Sequence, residues 1–66
     1  MHVIINGNPE EIGENLTVEE LLKQFDLDPT ITIVEKNRVI LERSLYPQEK
    51  ILENDSLELI RYMGGG

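Results

Sequence analysis

Leu57-Glu58-Leu59-Ile60-Arg61-Tyr62-Met63-Gly64-Gly65-Gly66 reads as a strand that runs without a linker into three glycines. Side chains alternate across a strand, so Leu57 and Leu59 share one face while Glu58, Ile60 and Tyr62 share the other. The first face needs cover from an apolar layer, and the second opens to solvent. The glycines have no Cβ, so a tail over 64–66 is thin, cannot pack and is expected to move freely. The expectation is one domain over 1–63 with a flexible diglycine-type tail over 64–66.

Working outward, Val3, Ile4 and Ile5 form a β-branched start. Asn6-Gly7 then signals a two-residue hairpin turn, because both residues tolerate positive φ. Pro9 to Ile12 reads as the return strand, with Val3 and Ile5 on one face of the hairpin and Ile4 on the other. Thr17 and Glu20 have the spacing of a capping box, and Leu16 sits where a staple residue would meet Leu21. Val18, Leu21, Leu22 and Phe25 repeat at helical spacing as one apolar stripe. Pro29 closes that segment. Ile31 to Glu35 predicts a third strand, Asn37-Arg38 a turn and Val39 to Leu41 a short fourth strand. Leu45-Tyr46-Pro47 predicts a single-turn element, Ile51 a core plug, and Glu53-Asn54-Asp55 the turn before the last strand. The stripe must bury itself against the sheet. The first and last strands are separated by a connection long enough to lie parallel and adjacent. These features predict an α+β domain of the β-grasp, ubiquitin-like kind: a mixed sheet packed on one main helix. Ile60 and Tyr62 then belong to the open face, beside Ile4.

A chain of 66 residues has room for one core. It has no cysteine, so it has no disulfide, thiolate zinc site or thiol nucleophile. A ligand cleft of roughly 300–1,000 Å3 would hollow out such a core, which argues against an independent enzyme. The net charge of −7 repels nucleic-acid phosphates and anionic lipid and suits partners with basic surfaces. Met1 to Gly7 lacks the charged-then-apolar pattern of a signal peptide, and no apolar run reaches the ~18 residues of a membrane span. A cytoplasmic protein is expected, with no nucleic acid and no membrane among its partners.

The group with chemical potential is the α-carboxylate of Gly66, with Gly64 and Gly65 as a tether able to thread a channel too narrow for side chains. A carboxylate acylates nothing until activated, usually by attack on the α-phosphate of ATP. The sequence offers no phosphate loop, so a partner must bind the nucleotide. A glycine run alone is a weak signal; its direct continuation from a ubiquitin-like pattern gives it weight. His2, the one histidine, reads as structural or solvent-facing. Glu10-Glu11 and Glu19-Glu20 read as solvated faces rather than acid–base pairs, and Asp55-Ser56 as turn chemistry. No catalytic or metal-binding residue is expected.

The chain resembles the ThiS family of sulfur carrier proteins over its whole length. The resemblance rests on Ile5-Asn6-Gly7, Thr17-Val18-Glu19-Glu20-Leu21-Leu22, Val34-Glu35-Lys36-Asn37, Val39-Ile40, Tyr46, Asn54-Asp55 and, most specifically, Leu57 to Gly66. Two positions depart from the family pattern: Asn54 and Arg38 stand where glycine is usual. Asn54 tolerates the left-handed region, so the turn is expected to survive. The resemblance implies a protein co-substrate rather than an enzyme, with no bound cofactor. A ThiF-like adenylating enzyme would use ATP to convert Gly66 to an acyl-adenylate. A persulfide donor would supply sulfur for a thiocarboxylate, and a ThiG-like thiazole synthase would take that sulfur into the thiazole of thiamine. Ile4, Ile60, Tyr62 and Met63 are the expected docking residues. A molybdopterin-pathway carrier, a protein modifier and a plain interaction module remain as alternatives.

Overall fold

The computed structural model describes residues 1–61. Strand β1 (His2–Ile5) turns through Asn6 (φ 51°) and Gly7 (φ 83°) into β2 (Asn8–Glu11), as the Asn-Gly pair requires. Ile5 pairs with Asn8 and His2 with Glu11, and one further rung joins Met1 to Ile12. Helix α1 spans Val18–Gln24. The later elements are β3 (Thr32–Lys36), β4 (Val39–Ile40), a 3-10 turn at Arg43–Leu45, and β5 (Ser56–Arg61). The sheet order is β2-β1-β5-β3-β4, with β1 and β5 parallel and the other neighbours antiparallel. This is the expected β-grasp arrangement, with β5 in the middle.

The capping box forms in full. The Thr17 hydroxyl accepts from the Glu20 N–H at 3.2 Å, and Glu20 Oε1 accepts from the Thr17 N–H at 2.8 Å. Val18, Leu21 and Leu22 are wholly buried against Val3, Ile5, Val34, Ile51 and Leu57. Leu16 packs partly on the same core.

Phe25 does not complete the stripe: it is 38% exposed. It is the C-cap, and Asp26 follows in the left-handed region (φ 61°). The Leu27 N–H donates to the Leu22 carbonyl at 2.8 Å and the Asp26 N–H to the Lys23 carbonyl at 3.1 Å. That pair of bonds is a Schellman motif, which reverses the chain and brings Leu27, not Phe25, onto the core. The last helical residue, Gln24, therefore lies five residues before Pro29.

Strand boundaries also differ from expectation, and the third strand is shifted by one residue, to Thr32–Lys36 instead of Ile31 to Glu35. The return strand is Asn8–Glu11, one residue earlier at each end than expected, and Ile12, still bonded to Met1, turns its side chain into the core. The fourth strand ends at Ile40, with Leu41 turning in to pack on the core while its N–H meets the Val34 carbonyl at 2.9 Å. The last strand begins at Ser56, and Tyr62 lies outside the described residues. Asn54 takes φ 70° and Arg38 φ 72°, so both turns form without glycine.

Candidate functional site

β5 leads to the chain's C-terminal segment, so whatever holds β5 sets where that segment starts. On one side β1 supplies two parallel rungs, Ile4 with Ser56 and Ile5 with Leu57. β1 then turns away, and Asn6 prolongs the contact. Its N–H donates to the Leu57 carbonyl at 2.8 Å, and its side-chain Oδ1 accepts from the Leu59 N–H at 2.8 Å. On the other side β3 pairs with β5 over five rungs, from Thr32 with Arg61 to Lys36 with Leu57. Asn6 was legible only as a turn residue; its clamp on Leu59 needs the parallel register to be known.

β3 is itself braced. β4 pairs with it only at Glu35 and Lys36. Upstream, the buried Tyr46 hydroxyl stands in for a strand: it donates to the Thr32 carbonyl at 2.8 Å and accepts from the Val34 N–H at 3.1 Å. Asp55 is a second buried hub. It accepts from the Leu52 N–H at 2.8 Å and from Asn37 Nδ2 at 3.0 Å, with Lys36 Nζ at 3.6 Å. Lys36 Nζ also lies 2.9 Å from Glu49 Oε2. The Glu49 hydrogen bond, with Asp55 nearby, raises the Lys36 ammonium above its ordinary pKa despite partial burial. Asp55 thus holds the loop that starts β5, which goes beyond the turn chemistry read from Asp55-Ser56.

Of the expected docking residues, the two described ones, Ile4 and Ile60, are not side by side. Ile4 and Ile60 are on the same open face, 42% and 44% exposed. Ile4 lies level with Ser56, however, and Ile60 is four residues further along β5, about 13 Å at the usual rise of a strand. The neighbour of Ile60 is Ile33, directly across on β3. The expected placement of Ile60 beside Ile4 fails because the parallel pairing covers only the first half of β5. Tyr62, Met63, Gly64, Gly65 and Gly66 lie outside the described residues.

The other candidates have local partners or face water. Glu20 belongs to the capping box, whose Thr17 N–H and hydroxyl bonds hold its carboxyl below the usual range. Glu19 lies 3.9 Å from Lys23 one turn on. Glu10, Glu11 and the His2 side chain are exposed. Among the described residues there is no pocket, and no group of three His, Cys, Asp or Glu could hold a metal ion. No helix among them is long and apolar enough to cross a membrane.

The sequence model of the ThiS family matches residues 3–66. The chain belongs to the ThiS family. Its fold superposes on the crystal structure of the thiamine biosynthesis protein ThiS from Geobacter metallireducens, with a TM-score of 0.87, 32% identity and full coverage of both chains. The sulfur carrier protein ThiS of Bacillus subtilis is 32% identical over 50 residues, which cover 76% of each chain. A thiazole synthase of Paramagnetospirillum magneticum is 35% identical over all 66 residues. The chain spans only 20% of that protein's length, so a ThiS-like segment there shares one polypeptide with a much longer remainder.

Proposed function

We propose that this ThiS-family chain is a sulfur carrier in thiamine biosynthesis, loaded at the α-carboxylate of Gly66. Family membership across residues 3–66 carries the reading, because the matched region includes the glycine tail. In the reaction proposed, a ThiF-like enzyme binds ATP. A Gly66 carboxylate oxygen attacks the α-phosphorus, the bond to pyrophosphate breaks, and an acyl-adenylate forms. The terminal sulfur of a persulfide then attacks the carbonyl carbon, and AMP leaves with the former carboxylate oxygen. A thiol reductant cleaves the resulting acyl disulfide, leaving a thiocarboxylate on Gly66 and a disulfide on the donor side. A thiazole synthase accepts that sulfur. A thiocarboxylate suits the task because it is a stronger nucleophile than a carboxylate and stays attached to its carrier.

The chain's own contribution is presentation. β5 is pinned between β1 and β3, and five residues beyond Arg61 can reach at most about 17 Å. Gly64 and Gly65 let that reach pass a narrow opening. The test is intact-mass measurement after incubation with the adenylating enzyme, ATP and a persulfide donor. A gain equal to one sulfur-for-oxygen exchange is expected, and it disappears when Gly66 is deleted. No gain with an activating enzyme that consumes ATP would sink the proposal. Isopeptide adducts on other proteins without a thiocarboxylate would point to a protein modifier instead.

A further inference from the structure

The open sheet face carries a local arrangement that is unfavourable for the isolated chain. Glu35 on β3 lies directly opposite Glu58 on β5, and both side chains point away from the helix. Like charges facing each other across a sheet, with Cβ atoms about 5 Å apart, repel. Among the described residues neither carboxylate makes an ion pair. Two rungs further toward the tail, past the inward-facing Val34 and Leu59, the face changes character, because Ile33 lies opposite Ile60. Ile40, 68% exposed, pairs with Glu35 on the other flank. The uncovered face is therefore an apolar pair and an anionic pair in successive same-face positions, two rungs apart and about 7 Å along the strands.

That pattern fits one kind of side chain. Lysine and arginine lay an apolar stem along hydrophobic surface and carry a cation at the tip. A stem across Ile33 and Ile60 would bring the head between Glu35 and Glu58, where an arginine fork can bond both carboxylates. Ile60 is one residue from the end of β5, so the contact stands at the root of the segment that carries Gly66.

We propose that this face docks a thiazole synthase, through an arginine or lysine of the synthase seated on Ile33 and Ile60 with its charge between Glu35 and Glu58. The proposal rests on the sulfur-carrier reading above. The synthase is chosen over the adenylating enzyme because a thiazole synthase relative carries a ThiS-like segment in its own chain, where the two would meet at high effective concentration.

The test is the affinity of the full chain for purified thiazole synthase at low and high salt. Glu35→Gln combined with Glu58→Gln is expected to weaken binding about tenfold at low salt and to remove most of its salt dependence. Glu58→Lys is expected to weaken it further. Glu14→Gln, an exposed charge away from the face, is expected to change nothing. The double variant should melt no lower than the parent, since it loses a repulsive pair, so weakened binding cannot be ascribed to unfolding. Unchanged affinity in the double variant, or an equal loss with Glu14→Gln, overturns the proposal. So does unchanged synthase binding combined with impaired adenylation, which would give the face to the activating enzyme. A parent chain that binds no synthase overturns it as well. Thiocarboxylate formation in the same preparation then decides separately whether the sulfur-carrier reading stands.

Discussion

Arg38 occupies the second position of a two-residue turn between Lys36 and Val39, at φ 72°. A side chain there brings Cβ close to the backbone at roughly 1–2 kcal/mol, a strain glycine avoids at the expense of its own unfolded-state entropy. Arg38→Gly is expected to stabilise the chain by about 0.5–1 kcal/mol. Thermal unfolding should register that as several degrees, since a domain of this size shifts by about 4–8 °C per kcal/mol. A lower melting temperature would mean that the arginine side chain holds more than the backbone strain removes. The turn was legible because Asn37 favours the same region, and the only sign of strain at Arg38 was that it stands where the family usually has glycine. Asp26 is the same lesson at the helix end. Aspartate is an acceptable left-handed residue, but Pro29 was the louder stop signal, and helical spacing alone put Phe25 on the apolar stripe.

β3 shows how an element can depend on a side chain from a loop. Its upstream half has no partner strand on the β4 side, and the Tyr46 hydroxyl supplies both a donor and an acceptor there. Tyr46→Phe keeps the ring and removes both bonds at a buried position. The expected loss is about 1–3 kcal/mol, read as a lower urea midpoint with an unchanged slope. A neutral result would show that water replaces the hydroxyl. Tyr46 was legible only as part of a single-turn element at Leu45-Tyr46-Pro47. Its hydroxyl partners were not, because they depend on how little of β3 is covered by β4. For the same reason Ile60 was read with Ile4 rather than with Ile33. Alternation assigns faces from sequence alone, whereas neighbours across a sheet need the register.

Over the whole molecule, charge and pH act through a few fixed sites. Glu20 and Asp28 are held below their ordinary values by hydrogen bonds from Thr17 and Thr30. Groups with lowered folded values contribute stability above their unfolded values, near 4.5 and 3.8, and lose it as the pH falls through the folded ones. Lys36 is raised, so its contribution is intact below 10.5 and is lost as the pH climbs through the higher folded value. Urea midpoints should therefore be flat through neutral pH and decline at both extremes. Glu20→Gln, which keeps a capping-box side chain but does not titrate there, should soften the acid decline. An unchanged acid limb in that variant would assign the loss to other carboxylates. The global fold was legible because hairpin turn, capping box and final strand each carry strong local signals that agree. The parallel union of β1 with β5 has a mechanical consequence as well. A pull applied beyond Arg61 against an anchored N-terminus loads the rungs at Ser56 and Leu57, together with the Asn6 clamp, in shear, so that they must give way together instead of unzipping singly. For the function proposed above, that geometry means that a force on the chain beyond Arg61 would be borne by the sheet without unravelling the body behind it.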